Sequence, residues 1–426
     1  MDINRKTAYN VLFEIEKNGA YSNIELNKQI SLLNPDSPAF VRELVYGVIE
    51  NKIYIDYILS ALVTKGLKGI KTQPLTLLRM GIYQLRFMDS VPEYAAINET
   101  VKMAKKLARG RDGFINGVLR GYLKRKNEDF LPDRSKDNVA YLSVKYSYVP
   151  WIVSLWIEQY GEETAEALLS AGNNTPELSI RVNNLKVDAG ELGERLAEKG
   201  FHVNKGKLSE RVLFVRGAGL LKTEEFLEGM FSVQDESSVL AVEMLMPKPG
   251  EKVIDMCAAP GGKTLAMAEL MENKGIIRAF DVYEHKLELI DRESARLGIS
   301  IIETGEQDGT EFSEKLVGWA DKVLVDGPCS GLGVVRRKPE IKYKEIEDNG
   351  RELAEKQLAI LNNAAEYVKN GGCLLYSTCT VNKIENDCVA EEFISSHPEF
   401  ARVSQRQLMT GKDETDGFFI SLFKKK

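Results

Sequence analysis

The spacing of apolar residues predicts an N-terminal region made of helices alone. Ala8, Val11, Leu12 and Ile15 follow the i, i+3, i+4, i+7 pattern of an amphipathic helix. The same period predicts further helices at 53–64, 74–88, 94–108 and 112–126. The polar, proline-containing segment 127–138 is the predicted domain boundary.

The pattern changes beyond this boundary. A helix to about residue 171 is followed by alternating apolar and polar residues at 178–183, a helix at 188–199 and a short apolar strand at 212–215. These elements predict a small α/β subdomain.

From about Phe231, apolar strands alternate with helices. The strands are predicted at 252–256, 275–280, 300–303, 322–325 and 373–376, and the helices at about 263–273, 284–297, 349–369 and 384–396. This order is typical of a Rossmann-like α/β fold with a mostly parallel sheet, whose ligand lies beyond the carboxyl ends of the strands. We therefore predict a multidomain protein with an all-α domain (1–138), a linker helix with a small α/β subdomain (139–230) and an α/β domain (231–426).

Composition limits the class of protein. The chain has 426 residues, of which 43% are apolar and 28% charged, as in ordinary globular proteins. It has five cysteines, all after residue 250, and three scattered histidines, so we expect neither a disulfide framework nor a metal site. No apolar run approaches the roughly 18 residues of a membrane span, and the first residues lack the apolar core of a signal peptide. We expect a cytoplasmic protein, with a monomer as the default.

Charge is divided unevenly along the chain. Residues 1–150 contain 23 Lys and Arg against 16 Asp and Glu, a net +7, and since the whole chain is −6 the remainder is −13. A basic module favours a polyanionic partner such as RNA, although a lysine-rich solvated helix face has the same composition.

The turn Pro260-Gly261-Gly262 follows the first predicted strand of the α/β domain and precedes a helix. Glycines there let a ligand approach the backbone, and the helix start presents unpaired N–H groups. Gly262-Lys263-Thr264 resembles the end of a phosphate-binding loop, but Cys257 stands where that motif requires glycine, which disfavours an ATPase.

Acidic residues close the next three strands. Asp281 is placed to accept ribose hydroxyls, Asp308 to receive an adenine amino group, and Asp326 ends the fourth strand. A single strand-end acid can equally be a helix cap. Three in register with the glycine turn favour an adenosine ligand without a phosphate-binding pocket. S-adenosyl-L-methionine fits better than NAD, although a dehydrogenase stays open on these residues alone.

Two cysteines lie in loops after neighbouring strands. Cys329 belongs to Asp326-Gly-Pro-Cys-Ser-Gly331 and Cys379 to Ser377-Thr-Cys-Thr380, whereas Cys257, Cys373 and Cys388 are predicted to pack. A thiolate that adds to carbon 6 of cytosine makes carbon 5 nucleophilic enough to accept a methyl group. Asp326 could stabilise the adduct at the ring nitrogen edge. The residues alone do not decide which thiol attacks.

These motifs resemble the signatures of the RNA cytosine-5 methyltransferases. The resemblance rests on Cys257–Thr264, Asp326–Gly331 and Ser377–Cys379, with support from Gln234–Ser238 and Asp416–Ile420. It implies that Cys379 is the nucleophile and that Cys329 assists product release. It also implies S-adenosyl-L-methionine as cofactor, S-adenosyl-L-homocysteine as product, and cofactor contacts at Cys257, Ala258, Ala259, Pro260, Gly261, Gly262, Lys263, Asp281, Asp308 and Asp326.

The helical region resembles the NusB RNA-binding fold at Arg42–Gly47 and Phe114–Arg120. With the catalytic region fused to it, the chain resembles bacterial small-subunit ribosomal RNA methyltransferases. That resemblance implies one target cytidine in 16S ribosomal RNA, either free or in an early assembly intermediate. Candidate RNA contacts are Arg181, Asn183, Arg336, Arg337 and Lys338, the last three of which could instead form a solvated loop. The alternative enzymatic function is the same methylation with transfer RNA as the substrate. A non-enzymatic assembly factor is disfavoured by the two thiols beside Asp326.

Overall fold

The computed structural model describes residues 1–346 and 348–426, which form two compact units. One unit comprises Met1–Asn173 with Val335–Glu345, and the other comprises Asn174–Val334 with Ile346–Lys426. None of the described helices has both the length and the apolar character needed to cross a membrane.

The first unit is built from helices, and α1–α7 contribute to one apolar core. In chain order they are α1 (Ile3–Asn18), α2 (Ser22–Leu33), α3 (Pro38–Glu50), α4 (Lys52–Leu62), α5 (Thr72–Phe87), α6 (Glu93–Leu107), α7 (Asp112–Arg125), α8 (Asn138–Tyr146), α9 (Pro150–Tyr160) and α10 (Glu162–Ala171). Ser37 caps α3 by accepting from the Phe40 N–H, and Pro38 opens the helix. The predicted helices of this region are confirmed to within about two residues at most ends.

The helical unit extends beyond the predicted boundary at residue 138. Helix α8 packs against α4, and the backbone N–H of Tyr54 donates to the Ser147 hydroxyl (3.0 Å). Tyr148 is fully buried beside Trp156. The polar segment 127–138 therefore lies within the first compact unit, which also contains α8–α10. The predicted domain bounds stay a prediction.

The second unit begins with a four-stranded antiparallel sheet in the order β2-β3-β1-β4. Its elements are β1 (Leu178–Val182), α11 (Ala189–Glu198), β2 (His202–Lys205), β3 (Val212–Arg216), α12 (Glu224–Leu227) and β4 (Phe231–Val233). The predicted strands β1 and β3 are confirmed. β2 is largely exposed and β4 has three residues, so neither shows a clear apolar alternation.

A seven-stranded sheet forms the rest of this unit. Its elements are α13 (Glu236–Leu245), β5 (Lys252–Asp255), α14 (Gly262–Leu270), β6 (Ile276–Asp281), α15 (Glu284–Leu297), β7 (Ile302–Glu306), β8 (Ala320–Asp326), α16 (Arg351–Tyr367), β9 (Val368–Thr378), α17 (Asp387–Ser396), β10 (Phe400–Leu408) and β11 (Phe418–Lys425). Strands β5–β9 run parallel, whereas β11 and β10 add an antiparallel edge. The predicted mostly parallel Rossmann-like fold is confirmed.

The strand order places the site. The order is β10-β11-β9-β8-β5-β6-β7, so the chain moves outward from β5 to β7 and then returns to the other side of β5. The loops that follow β5 and β8 therefore leave neighbouring strands in opposite directions. Such a switch point opens a crevice at the carboxyl edge of a sheet, where ligands bind.

Candidate active site

A cavity of about 390 Å³ lies at this crevice. Each of five adjacent strands contributes to its lining: Cys257 and Ala259 after β5, Asp281 at the end of β6, Asp308 after β7, Asp326 and Cys329 at and after β8, and Cys379 after β9. The structure thus brings together the predicted glycine-turn region, the three acids and both loop thiols.

The turn between β5 and α14 requires glycine. Gly261 has φ 103°, and a Cβ there would lie 2.9 Å from Cγ1 of Ile290. Its N–H donates to the Ala258 carbonyl (2.7 Å), and Gly262 then begins α14. A residue with a side chain would be strained at this positive φ and would also collide with Ile290.

The acids are held by backbone hydrogen bonds. Asp281 accepts from the N–H groups of Ala259 and Tyr283, both at 3.2 Å. Asp308 accepts from the N–H (2.9 Å) and the hydroxyl (2.8 Å) of Thr310, and these bonds lower the pKa of Asp308. The first contact ties an acid directly to the glycine turn.

The composition of the cavity fits an adenosyl sulfonium. Three carboxylates, those of Asp281, Asp308 and Asp326, face two amines, those of Lys286 and Lys356. Carboxylates accept hydrogen bonds from ribose hydroxyls, favour a positively charged sulfur and repel phosphates. The residues present therefore fit S-adenosyl-L-methionine better than a phosphorylated nucleotide.

Asp326 is the centre of a polar network. One of its oxygens pairs with Nζ of Lys263 (2.6 Å) and the other accepts from the Ser377 hydroxyl (2.8 Å). Burial lowers the pKa of Lys263, but the charge and hydrogen bond of Asp326 and the nearby Cys379 outweigh burial and leave that pKa raised. Lys263 is therefore a cation at neutral pH.

The two loop thiols are in contact, with the sulfur atoms of Cys329 and Cys379 3.3 Å apart. The hydrogen bond between them and burial raise the pKa of Cys329 well above its usual range. Cys257 lines the cavity instead of only packing, and burial raises its pKa as well. Cys388 is exposed on α17, so the prediction that it packs is wrong; it lies on the outward face of an amphipathic helix.

Asp255 at the end of β5 gives a prediction about pH. It is 1% exposed, and burial raises its pKa to about 7, although the Thr264 hydroxyl donates to it (2.7 Å). Because the folded state holds this proton more tightly than the unfolded chain, the contribution to stability is present below about pH 4 and is lost as the pH rises towards 7.

We therefore expect the free energy of unfolding of Asp255→Asn, relative to that of the wild type, to be higher at pH 8 than at pH 5. Urea unfolding at both pH values measures this difference. The constant cost of the new amide cancels in that comparison. An equal difference at the two pH values would contradict the assignment.

The predicted RNA contacts at Arg181 and Asn183 are wrong. Arg181 is fully buried, and its guanidinium donates to both oxygens of Glu269 (2.9 and 2.8 Å) and to the Gly262 carbonyl (2.8 Å). Asn183 is also fully buried and donates to the carbonyls of Gly229 (2.9 Å) and Leu297 (3.0 Å). Both side chains are used within the protein interior, so they cannot contact RNA.

The other predicted RNA contacts lie in the excursion Val335–Glu345, which belongs to the helical unit. Lys338 is exposed, whereas Arg336 and Arg337 are half-buried. Contact with RNA stays a prediction for these three residues.

Sequence reasoning missed polar residues beneath the cavity. Ser377 enters the sequence prediction only as part of a motif, and Gln357 and Glu385 do not enter it, although all three are fully buried. The available signal for Ser377 is a polar residue directly after the apolar run 373–376 and two positions before Cys379. Nothing local distinguishes Gln357 on α16 from a solvated helix residue.

Comparison with known families agrees with this architecture. The sequence model of the family described as 16S rRNA methyltransferase RsmB/F matches residues 242–424, and that of the NusB family matches residues 2–124. A ferredoxin-like domain of RsmF/B-like methyltransferases matches residues 148–220.

Individual relatives cover between two thirds and nearly all of the chain. A probable ribosomal RNA small subunit methyltransferase B of Bacillus subtilis is 39% identical over 99% of this chain and 98% of its own length. The crystal structure of PH0851 superposes with a TM-score of 0.84 at 27% identity, covering 98% of each chain. A methyltransferase homologue from Pyrococcus horikoshii gives a TM-score of 0.62 at 28% identity over 68% of this chain and 99% of its own. The chain belongs to the 16S rRNA methyltransferase RsmB/F family.

Proposed function

We propose that the protein methylates carbon 5 of one cytidine in 16S ribosomal RNA, with S-adenosyl-L-methionine as methyl donor. Cys379 adds to carbon 6 of the base, and Cys329 assists product release. The observation that carries this proposal is the 3.3 Å contact between the two sulfur atoms at the rim of a carboxylate-lined cavity.

The reaction explains the need for a thiol. Carbon 5 of cytosine is a weak nucleophile, and a thiolate that adds to carbon 6 moves electron density onto it. When bound, S-adenosyl-L-methionine supplies the electrophilic methyl group. Residues Cys257–Lys263, Asp281 and Asp308 would hold it, because they line or build the cavity beside the thiols.

Electrostatics favour Cys379 as the nucleophile. The Lys263 cation acts on Cys379 and stabilises a thiolate there. Cys329, whose pKa is raised, holds its proton and can donate it in a hydrogen bond to the Cys379 sulfur. The attacking thiolate is therefore the one in the Thr-Cys motif, as the family resemblance implies.

Asp326 is placed to act on the base. Since one oxygen binds Lys263 and the other binds Ser377, the carboxylate is fixed beside both thiols. From there it can hydrogen-bond or protonate the ring nitrogen edge as negative charge develops in the adduct.

Product release requires loss of the carbon 5 proton. We propose that the Cys329 sulfur, after losing its own proton to solvent, accepts the carbon 5 proton. The bond between carbon 6 and the Cys379 sulfur then breaks, and the electron pair of the C5–H bond restores the ring double bond. Cys379 leaves as a thiolate, ready for a second turnover.

The substrate is expected to present an unstacked cytidine, since a ring carbon inside a helix is inaccessible. Free 16S RNA or an early assembly intermediate meets this condition, and we expect the protein to act as a monomer.

Nucleoside analysis of modified RNA tests this function. Purified protein, 16S RNA and a methyl-labelled cofactor should produce close to one 5-methylcytidine per RNA and no label in transfer RNA. Label at a different atom or base, or in transfer RNA alone, would contradict the proposal.

A further inference from the structure

A buried carboxylate lies beneath the two thiols. Glu385, between β9 and α17, is fully buried. It accepts four hydrogen bonds: from the Ser330 N–H (2.7 Å), the Ser330 hydroxyl (2.5 Å), the Asn382 amide (3.0 Å) and the Gln357 amide (3.3 Å). Because hydrogen bonds to a charged acceptor are the stronger ones in proteins, the Glu385 carboxylate holds these donors in place.

Glu385 and its partner Gln357 bind the Cys329 loop on both sides of the cysteine. Ser330 follows Cys329, and Pro328 precedes it, with its carbonyl accepting from the Gln357 amide (2.8 Å). The Ser330 hydroxyl also contacts the Thr380 hydroxyl (2.8 Å), one residue beyond Cys379. The loop that holds one thiol is thus bonded to the segment that follows the other.

We propose that Glu385 is a positioning residue for the methyl-transfer reaction. It fixes the Cys329 loop against the Cys379 segment and places a negative charge beside Cys329, so that the proton shared by the two thiols stays on Cys329. This inference rests on the proposed function, and it adds a residue that does not touch the substrate.

Charge and geometry both support this role. Burial raises the pKa of Glu385, whereas its four donors favour the carboxylate. The titratable groups that act on Cys329 come from three segments: Cys379 and Glu385 after β9, Asp326 at the end of β8, and Tyr376 within β9. The Lys263 cation acts on Cys379, the other thiol of the pair.

Two variants separate charge from positioning. Glu385→Gln keeps the shape but removes the charge and turns one acceptor into a donor facing other donors. Ser330→Ala keeps the charge and removes the contacts of the Ser330 hydroxyl with Glu385 and Thr380. The readouts are kcat and KM for RNA, and the pH dependence of Cys329 alkylation by iodoacetamide, followed by peptide mass spectrometry.

We expect Glu385→Gln to lower kcat by about 10- to 100-fold with little change in KM, and to move the alkylation profile of Cys329 to lower pH. We expect Ser330→Ala to lower kcat several-fold, within about tenfold, without moving that profile. An unmoved profile in folded Glu385→Gln would overturn the charge effect. An unchanged kcat in Ser330→Ala would overturn the positioning effect, including when Glu385→Gln does not fold.

Alkylation needs neither RNA nor cofactor. If the wild type forms no 5-methylcytidine, the proposed function fails while the alkylation profiles still report on Glu385. If it forms 5-methylcytidine and both variants match the wild type, only the inference about Glu385 fails.

Discussion

Replacing Cys379 with alanine is expected to lower kcat for methyl transfer by at least about 1,000-fold. Without the sulfur, carbon 5 of the base stays a weak nucleophile, and neither the cofactor cavity nor Asp326 can replace the covalent step. Cofactor affinity should change little, since the acids and the glycine turn remain. Single-turnover transfer to 16S RNA and equilibrium binding of S-adenosyl-L-methionine measure the two effects.

Cys388→Ala is the matched control, because that thiol is exposed on α17 and does not line the cavity. It should retain wild-type activity. Residual activity above about one-tenth of wild type in Cys379→Ala would remove this cysteine from the mechanism.

Glu269→Gln is expected to lower the free energy of unfolding by about 3–5 kcal/mol. Glu269 is buried, and its two oxygens bind Arg181, which is fully buried, and Arg211 (2.7 Å), which is largely buried. Removing the carboxylate leaves both guanidinium groups without their common counter-charge. Urea unfolding at neutral pH measures the change.

Glu303→Gln provides the comparison at the surface. Its ion pair with Arg278 is 3.5 Å long and Glu303 is 62% exposed, so the loss should stay below about 1 kcal/mol. Equal losses in the two variants would show that burial of the Arg181 network does not determine its contribution.

The pattern of the sequence was sufficient for features that depend on local order. Alternating strands and helices predicted the parallel sheet, and loops after neighbouring strands predicted that Cys329 and Cys379 would meet. The acids at the ends of β6 to β8 were likewise predictable, because the carboxyl ends of parallel strands lie at one edge.

Features that depend on distant partners were not predictable. Arg181 on β1 looked available for RNA, but its partner Glu269 lies 88 positions later in the chain. The first unit also includes the helices up to Ala171 and the segment Val335–Glu345. Their packing there is not encoded in the spacing of apolar residues along the sequence. The edge strand β10 is mostly exposed and polar, so its sequence does not alternate clearly.

The most direct test of the mechanism is the covalent intermediate itself. Cys329→Ala protein incubated with 16S RNA and S-adenosyl-L-methionine should accumulate a protein–RNA adduct that survives a denaturing gel. Nuclease and protease digestion followed by mass spectrometry should place a methylated cytosine on the peptide containing Cys379, and the double variant lacking both thiols should give none. An adduct on any other residue, or no adduct in a folded and cofactor-binding Cys329→Ala protein, would contradict the account.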